Sequence, residues 1–190
     1  ALGKAEGKPV AKLLGGSTRR KIRCYATGPD TDWYAETGFT AQKMPHRWTG
    51  DESIETAVDV AEKARAAFGA DAEVMFDVYM SWDSDVTLRM HDALSHVGIH
   101  WFEDILTPDD LRELGNLRRK IRPVNMAGCE HEFTTHGFAD IARNKSYDIW
   151  QPDITWCGGI TAGLRIVEMA KDAKADVVPH RGGEPWGLHL

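Results

Sequence analysis

Five ionisable residues in this sequence each follow a short apolar run, and the spacing between them is nearly constant. They lie 23 to 27 residues apart, which is the length of one strand, one helix and their connections. The carboxyl ends of the strands are where parallel α/β folds build their sites, so we expect these side chains to face one another. In chain order they are Asp77, Glu103, Glu130, Asp153 and His180.

The first three of these residues are carboxylates on neighbouring predicted strands. Asp77, Glu103 and Glu130 would repel one another strongly in a poorly solvated sheet mouth. A hard divalent cation relieves that repulsion, and Mg²⁺ suits oxygen ligands that leave room for water and substrate. The absence of a His/Cys cluster at these positions disfavours zinc. The sequence therefore predicts a Mg²⁺ site formed by these three carboxylates.

The last two residues of the series predict a proton-transfer group. A carboxylate beside an imidazole fixes the ring tautomer and raises its basicity, so Asp153 and His180 are candidates for a general-base pair. His131 directly follows Glu130. We expect it to be a second polar group in the site, acting as a distinct acid or orienting a ligand.

Each of these residues also has a structural interpretation. A single Asp or Glu after a strand is more often the N-cap of the next helix, but five ionisable residues in succession favour a site. His180 taken alone could be a structural histidine. Four further polar residues fall in predicted loops on the same side and could equally be solvated or contact substrate. They are His46, Arg47, Arg181 and Glu184.

The elements that position these residues are short apolar strands alternating with amphipathic helices. This alternation predicts a parallel sheet with right-handed crossovers, either an open doubly wound sheet or a closed barrel. No G-x-G-x-x-G follows the first strand, which lowers the case for a nucleotide site. The predicted strands cover residues 22–25, 40–44, 73–78, 100–102, 124–127, 148–151 and 176–179, and the main helices cover 51–68, 86–96, 108–121, 137–144 and 159–173.

Composition and charge exclude several other classes of protein. The 190 residues are 42% hydrophobic and 27% charged, typical of a globular chain and not of a disordered one. The net charge of −6 argues against nucleic acid as a partner, and no apolar run approaches the length of a membrane span. Cys24, Cys129 and Cys157 are widely spaced, which suits free thiols in a reducing cytoplasm.

Several phrases identify a family resemblance beyond the five residues. The chain resembles the enolase superfamily in its mandelate racemase-like branch, and within that branch the L-rhamnonate dehydratase family of acid-sugar dehydratases. The resemblance covers nearly the whole chain, from the first residues to His180. The phrases that carry it are C-Y-A-T-G at 24–28, K-M-P at 43–45, D-V-Y-M-S at 77–81, G-C-E-H-E at 128–132, Q-P-D-I-T-W-C-G-G at 151–159 and V-V-P-H at 177–180.

The resemblance implies a function as well as a fold. It implies a (β/α) TIM-type barrel, Mg²⁺ held by Asp77, Glu103 and Glu130, and His180 as the base paired with Asp153. The implied enzyme is a hydro-lyase that acts in carbohydrate catabolism. The proton next to the substrate carboxylate is removed to give an enediolate, the 3-hydroxyl leaves, and a 2-keto-3-deoxy acid forms.

Some features depart from the family pattern. Branches that use a lysine base carry K-x-K after the second strand, whereas Pro45 replaces the second lysine here and leaves His180 as the base. Residues 181–186 differ from the family's Gly-Ser-Ser phrase, and Phe102-Glu103-Asp104 stands in place of Ile-Glu-Glu. Both changes flank the substrate pocket, so the substrate could be an acid sugar other than rhamnonate. Two alternatives stay open: a racemase or epimerase using the same enediolate, and a catalytically silent binding protein.

The length also departs from the family. Its members carry an N-terminal capping domain and an eighth strand, whereas the pattern here accounts for about seven strands. We expect residues 1–16 to be the connection into the barrel and residues 17–190 to be a partial barrel, lacking the capping domain and the last strand. The resemblance also implies a small-molecule acid-sugar substrate and a homo-oligomer in the full-length protein.

Overall fold

In the computed structural model of the chain, the described residues are 1–16, 21–182, 184 and 186–189. They contain one sheet of seven parallel strands, each hydrogen-bonded to the next strand along the chain. The strands are β1 (Ala26–Thr27), β2 (Ala41–Pro45), β3 (Glu73–Asp77), β4 (Trp101–Glu103), β5 (Asn125–Gly128), β6 (Ile149–Trp150) and β7 (Asp176–Val177).

A helix separates each pair of consecutive strands. Before the sheet, residues 1–16 form two short helices, and a 3₁₀ turn lies at Gly187–His189. Over the described parts of the chain the α-helices are α1 (Leu2–Glu6), α2 (Val10–Leu13), α3 (Thr31–Glu36), α4 (Glu52–Phe68), α5 (Ser84–Ala93), α6 (Leu111–Lys120), α7 (Thr135–Asn144) and α8 (Gly159–Ala173). None of them is both long and apolar enough to cross a lipid bilayer.

The strand order decides between the two architectures that the sequence left open. A doubly wound sheet reverses its order at a switch point, whereas a barrel adds each strand beside the previous one. Here the order is β1 to β7 without reversal, so the fold is of the (β/α) barrel type, as predicted. The predicted domain boundary lies between residues 16 and 17. Residues 17–20 lie outside the described part of the chain.

The first strand is not where the sequence predicted it. Residues 22–25 were expected to form it, but β1 is Ala26–Thr27, and its partners are Gln42 and Lys43 of β2. Ile22 is 53% exposed, and of the predicted run Tyr25 is the residue that packs against the inner apolar cluster. The strand begins four residues after the start of the predicted run, because pairing with β2 rather than hydropathy sets its position.

The inner face of the sheet is built in layers. Successive side chains of a strand point to opposite faces, so residues two apart share a side. A buried apolar layer fills the inside of the sheet. Two residues further along several strands, the same side carries polar groups at the carboxyl ends. The apolar layer consists of Ala41, Met75, Trp101, Ala127 and Ile149, and the polar positions above it include Lys43, Asp77, Glu103 and Gln151.

The opposite face of the sheet packs against the helices and forms the larger core. In α4, Ala57, Ala61 and Ala64 recur at helical spacing and are completely buried, because their small side chains let the helix lie close to the sheet. Phe76 and Phe102 point outward from β3 and β4 into this core. The apolar layers on both faces hold the strand ends that carry the site.

Candidate active site

The ends of β3 and β4 place two of the predicted carboxylates side by side. The register pairs Asp77 with Glu103, and Pro45 of β2 with Asp77. Both acidic residues are buried, Glu103 completely. Two carboxylates on adjacent strands in a poorly solvated interior require a positive counter-charge.

The ammonium group of Lys43 supplies a positive counter-charge to these two carboxylates. Its Nζ lies 3.3 Å from Oδ2 of Asp77 and also forms an ion pair with Oε1 of Glu103. Burial tends to lower the pKa of Lys43, but the charges of Glu103, Tyr25 and Asp77 outweigh it and raise that pKa above its usual value. The predictions did not include Lys43, although the K-M-P phrase and the alternation of β2 contained the signal.

Glu103 is held by a complete set of donors. Besides Lys43, its Oε2 accepts hydrogen bonds from Nε1 of Trp101 at 3.0 Å and from Nε2 of Gln151 at 2.8 Å. Burial raises the pKa of Glu103, and the Lys43 charge opposes that rise. The carboxylate is therefore fixed in orientation before any ligand binds.

Glu130 lies in the turn after β5 and faces two histidines. Cys129, which precedes it, has a φ of 74°, and this left-handed conformation turns the chain out of the strand. Oε2 of Glu130 lies 3.5 Å from Nε2 of His180, and Oε1 lies 3.5 Å from Nε2 of His131. The predicted third carboxylate and both predicted histidines therefore form one cluster.

Asp153 and His180 form the predicted carboxylate–imidazole pair. They are joined by a parallel bridge beyond β6 and β7, and Nδ1 of His180 donates a hydrogen bond to Oδ2 of Asp153 at 2.9 Å. Oδ1 of Asp153 accepts from the N–H and the hydroxyl of Thr155. Burial tends to raise the pKa of Asp153, but the bonds from Thr155 and His180 outweigh it and lower that pKa. Nε2, on the other side of the His180 ring, faces Oε2 of Glu130.

Asp104 is a fourth carboxylate that the sequence reasoning noted only as a departure from the family phrase. It has a φ of 50°, is 6% exposed, and lies with Oδ2 3.7 Å from Nε2 of His131. Burial, followed by the charges of Glu130, Glu103 and Asp77, raises the pKa of Asp104 to about 8. Asp104 and Glu130 thus both contact Nε2 of His131.

The capping interpretation of the strand-end residues is wrong for this chain. The helices after the strands are capped by other residues, since Asp83 accepts from the N–H of Val86 and Asp110 from that of Glu113. The N-cap positions of α7 and α8 are Thr134 and Gly158. The strand-end carboxylates are therefore free to face the sheet mouth.

The four loop residues of uncertain role are placed differently from one another. His46 is buried against Phe76 and Trp82, and its Nδ1 has no hydrogen-bond partner among the described residues. Arg47 stacks over the ring of Tyr79 at 4.6 Å. Arg181 forms an ion pair with Glu184.

An exposed aromatic surface borders the two histidines. Trp156 is 40% exposed, and its ring lies 5.6 Å from that of His180 and 6.2 Å from that of His131. Phe133, which is 56% exposed, lies 6.2 Å from Trp156. Trp156 is therefore a rim residue of this site.

The donor set of the site fits a hard divalent cation. Lys43 pairs with two of the carboxylates, Asp77 and Glu103, whereas Glu130 and Asp104 face His131. Lys43 already holds the position of a cation between Asp77 and Glu103, which shows that these oxygens are arranged to bind positive charge. Oxygen ligands of this kind favour Mg²⁺.

Comparison with known proteins gives one family and consistent relatives. The sequence model of the family described as "Enolase C-terminal domain-like" matches residues 31–190. The L-rhamnonate dehydratase of Saccharopolyspora erythraea is 36% identical over 193 residues, which is 100% of this chain and 49% of that protein. The chain thus spans about half the length of this curated relative.

Solved structures give the same result. The rhamnonate dehydratase of Gibberella zeae complexed with Mg is 33% identical with a TM-score of 0.90, over 99% of this chain and 47% of that one. A racemase from Streptomyces coelicolor with bound magnesium is 26% identical with a TM-score of 0.85, over 96% of this chain and 53% of that one. Dehydratases and racemases therefore share this architecture.

Proposed function

The chain belongs to the enolase C-terminal domain-like family, and from that premise we propose that it supplies the barrel part of a Mg²⁺-dependent acid-sugar dehydratase. Its substrate would be an L-rhamnonate-like aldonate and its product a 2-keto-3-deoxy acid. The reaction class is that of a carbon–oxygen hydro-lyase. Residues 1–16 would form the connection into a barrel domain that covers residues 17–190.

One observation carries the proposal above the others. Nε2 of His180 lies 3.5 Å from a carboxylate oxygen of Glu130, while Nδ1 of the same ring is held by Asp153 at 2.9 Å. A base is therefore fixed in tautomer and directed at the carboxylate cluster. A substrate carboxylate drawn to that cluster would bring its α-hydrogen toward this nitrogen.

The residues that would hold Mg²⁺ are Asp77, Glu103 and Glu130. When bound, the ion attracts the substrate carboxylate and stabilises the negative charge that develops on it. Lys43 adds a fixed positive charge beside the same oxygens. Trp101 and Gln151 keep Glu103 in place, so the ligand does not have to be ordered when the ion enters.

Proton transfer would then use His180. Its Nε2 takes the proton from the carbon next to the carboxylate, the C–H bond breaks, and the electron pair enters the carboxylate to give an enediolate. The pair then returns to form a carbon–carbon double bond as the 3-hydroxyl leaves with a proton as water. Protonated His180 or His131 donates that proton, and the enol tautomerises to the 2-keto acid. Asp153 stabilises the imidazolium that exists between these steps.

A turnover assay tests this function. The protein expressed from its complete gene is incubated with Mg²⁺ and a panel of acid sugars, and formation of 2-keto acid is followed. We expect His180→Asn to lower turnover about 10²- to 10⁴-fold, the range for loss of a general base. His96→Asn is the matched control, because His96 is exposed and pairs with Glu62 on α4. Wild-type turnover in His180→Asn would show that another group is the base.

A racemase is the second candidate, favoured by the similarity to the Streptomyces coelicolor protein. It would need a second base on the opposite face of the substrate, and Pro45 stands at the position in register with Asp77 where a lysine could act. Exchange of the α-hydrogen with solvent deuterium, without loss of water, would favour the racemase. Formation of 2-keto acid would favour the dehydratase.

The setting of the enzyme follows from weaker observations. Cys129 and Cys157 are buried free thiols and Cys24 is exposed, which suits a reducing cytoplasm and sugar-acid catabolism there. Family analogy adds a homo-oligomer of the complete protein. Fractionation of cells and light scattering of the purified protein test these two points.

A further inference from the structure

We propose that Tyr25 is a positioning residue for the candidate metal site, because its side chain lies against all three groups that hold the carboxylate of Glu103. Its role is to keep that carboxylate in the orientation in which it would bind Mg²⁺. This role rests on the proposed function, since it takes Glu103 as a ligand of the ion. It assigns a task to a residue outside the series of ionisable groups at the strand ends.

Glu103 is completely buried and is held by three side chains. Its Oε2 accepts from Nε1 of Trp101 at 3.0 Å and from Nε2 of Gln151 at 2.8 Å, while its Oε1 pairs with the ammonium group of Lys43. The partners of a metal-binding group set its orientation, and their loss weakens metal binding. A residue that fixes these three partners therefore fixes the ligand itself.

The ring of Tyr25 contacts two of the three partners. It meets the indole of Trp101 edge to face, with ring centroids 5.4 Å apart and an angle of 83° between the planes. Nζ of Lys43 lies 5.8 Å from the centroid of the Tyr25 ring, within the range of cation–π attraction. Because edge-to-face packing is directional, the phenol ring restrains the indole whose N–H binds Glu103.

The hydroxyl of Tyr25 contacts the third partner, the side-chain amide of Gln151. Burial raises the pKa of Tyr25 to about 12, although the charge of Lys43 and the contact with Gln151 oppose the rise. The phenol therefore keeps its proton at neutral pH and can both donate and accept a hydrogen bond. Oε1 of Gln151 is buried and has no hydrogen-bond partner among the described residues, so this amide depends on the phenol beside it for orientation.

The strand pairing explains how one side chain reaches all three partners. Thr27 of β1 pairs in register with Lys43 of β2, and Tyr25 lies two residues before Thr27. Residues two apart share a side of the strand, so Tyr25 points into the sheet as Lys43 does. Its ring packs in the inner apolar layer, and its hydroxyl extends to the polar positions above that layer.

Mg²⁺ binding without substrate tests this role. The protein expressed from its complete gene is titrated with Mg²⁺ in a calorimeter, and the dissociation constants of the variants are compared. Loss of a group that orients a metal ligand weakens binding about 10- to 100-fold. Tyr25→Phe keeps the ring and acts one contact further away, so we expect it to weaken binding about threefold to tenfold. Tyr25→Leu also loses the ring and should weaken binding further.

Tyr34 offers a matched control, because it supports the same strand from another position. Its hydroxyl donates to the carbonyl of Thr27 at 3.0 Å, and its ring lies beside Trp33 and Phe39. Tyr34→Phe should lower the melting temperature but leave the Mg²⁺ dissociation constant unchanged. Equal weakening of Mg²⁺ binding by Tyr34→Phe and Tyr25→Phe would assign the effect to β1 as a whole and overturn the proposal.

A double-mutant cycle shows whether the hydroxyl acts through Gln151. Gln151→Met removes the amide and should weaken Mg²⁺ binding about tenfold by itself. If the hydroxyl acts through that amide, adding Tyr25→Phe to Gln151→Met has no further effect on the dissociation constant. The proposal is overturned if the two effects multiply in the double variant, or if Tyr25→Phe binds Mg²⁺ as the wild type does. Circular dichroism confirms that each variant is folded.

Glu103→Gln separates this role from the proposed function. It should lose most of the Mg²⁺ affinity, because it replaces the ligand itself. If it does so while Tyr25→Phe binds Mg²⁺ normally, the ligand assignment stands and the positioning role alone is overturned. If Glu103→Gln keeps the wild-type affinity, the ligand assignment fails and the positioning role fails with it.

Discussion

Nζ of Lys43 lies 3.3 Å from Oδ2 of Asp77, one strand away and two residues before the end of its own strand. The same ammonium group contacts Glu103 on the strand beyond. The lysine thus provides an internal counter-charge at the position where a metal ion is expected. Both buried carboxylates therefore have a positive partner before any metal arrives.

Replacing this lysine should expose its role. Lys43→Met leaves Glu103 and Asp77 buried without an internal counter-charge, so we expect the metal-free protein to lose about 3–5 kcal/mol of unfolding free energy. Mg²⁺ should restore much of that loss. Urea unfolding with EDTA and with Mg²⁺ measures both. Lys63→Met, which breaks an exposed pair with Asp32, should change stability by less than about 1 kcal/mol. Equal losses for the two variants would contradict this interpretation.

The lowered pKa of Asp153 predicts how stability depends on pH. A carboxyl whose folded pKa lies below its unfolded value stabilises the fold above about pH 3.9, and that stabilisation disappears as pH falls through the folded pKa. Thr155→Val removes one donor to this carboxylate and should reduce stability by about 1 kcal/mol at pH 7 and by much less in acid. Unfolding at both pH values measures the difference, with Thr155→Ser as the control that keeps the hydroxyl. A loss that is independent of pH would show that the hydroxyl does not act through the charge.

Arg65 should be important for stability at the opposite end of the sheet. Its guanidinium donates to the carbonyls of Val97 and Gly98 and to three carbonyls between residues 69 and 72, so it ties α4 to the turn after α5. A lysine cannot reproduce this fork of donors, and we expect Arg65→Lys to lose about 1–3 kcal/mol in denaturant unfolding. Arg112→Lys, at an exposed position of α6, should lie within about 0.5 kcal/mol of the wild type.

Gly115 in α6 should behave opposite to helix propensity. In an exposed helix, Gly→Ala stabilises by up to about 1 kcal/mol. A Cβ at Gly115, however, would lie 2.5 Å from the backbone oxygen of Asn144, at the end of α7. We expect Gly115→Ala to lower the free energy of unfolding by about 1–3 kcal/mol, because the backbones of α6 and α7 would have to move apart. A raised melting temperature would show that the two helices separate easily.

Much of this fold could be predicted from the sequence because local patterns agree with tertiary packing. Helix α8 begins and ends where its helical pattern predicted, at Gly159–Ala173. β1 could not be placed in this way, because its position depends on pairing with Gln42 and Lys43, which lie far along the chain. Hydropathy identifies an apolar run, but the hydrogen-bonding partner decides which residues form the strand.

Only the site residues whose positions follow from side-chain alternation and from the ends of strands could be predicted from the sequence. Asp153 and His180 pair as expected, because both follow strands that are neighbours in the sheet. Lys43 reaches Glu103 across an intervening strand, a contact that no local spacing contains. Asp104 is directed to His131 by a left-handed backbone conformation, which breaks the alternation from which its direction would have been predicted.

Because Asp77 and Glu103 are paired in register on neighbouring strands, the strand spacing limits the size of the ion that they would hold. Neighbouring strands are about 4.8 Å apart, and their hydrogen bonds resist any change in that spacing. Ca²⁺ needs oxygen distances of about 2.3–2.6 Å, compared with about 2.0–2.1 Å for Mg²⁺. A larger ion would have to spread two paired strands, whereas a flexible loop would simply rearrange. Discrimination by ionic radius would then be a property of the strand pairing, and it would persist even if the surrounding loops changed.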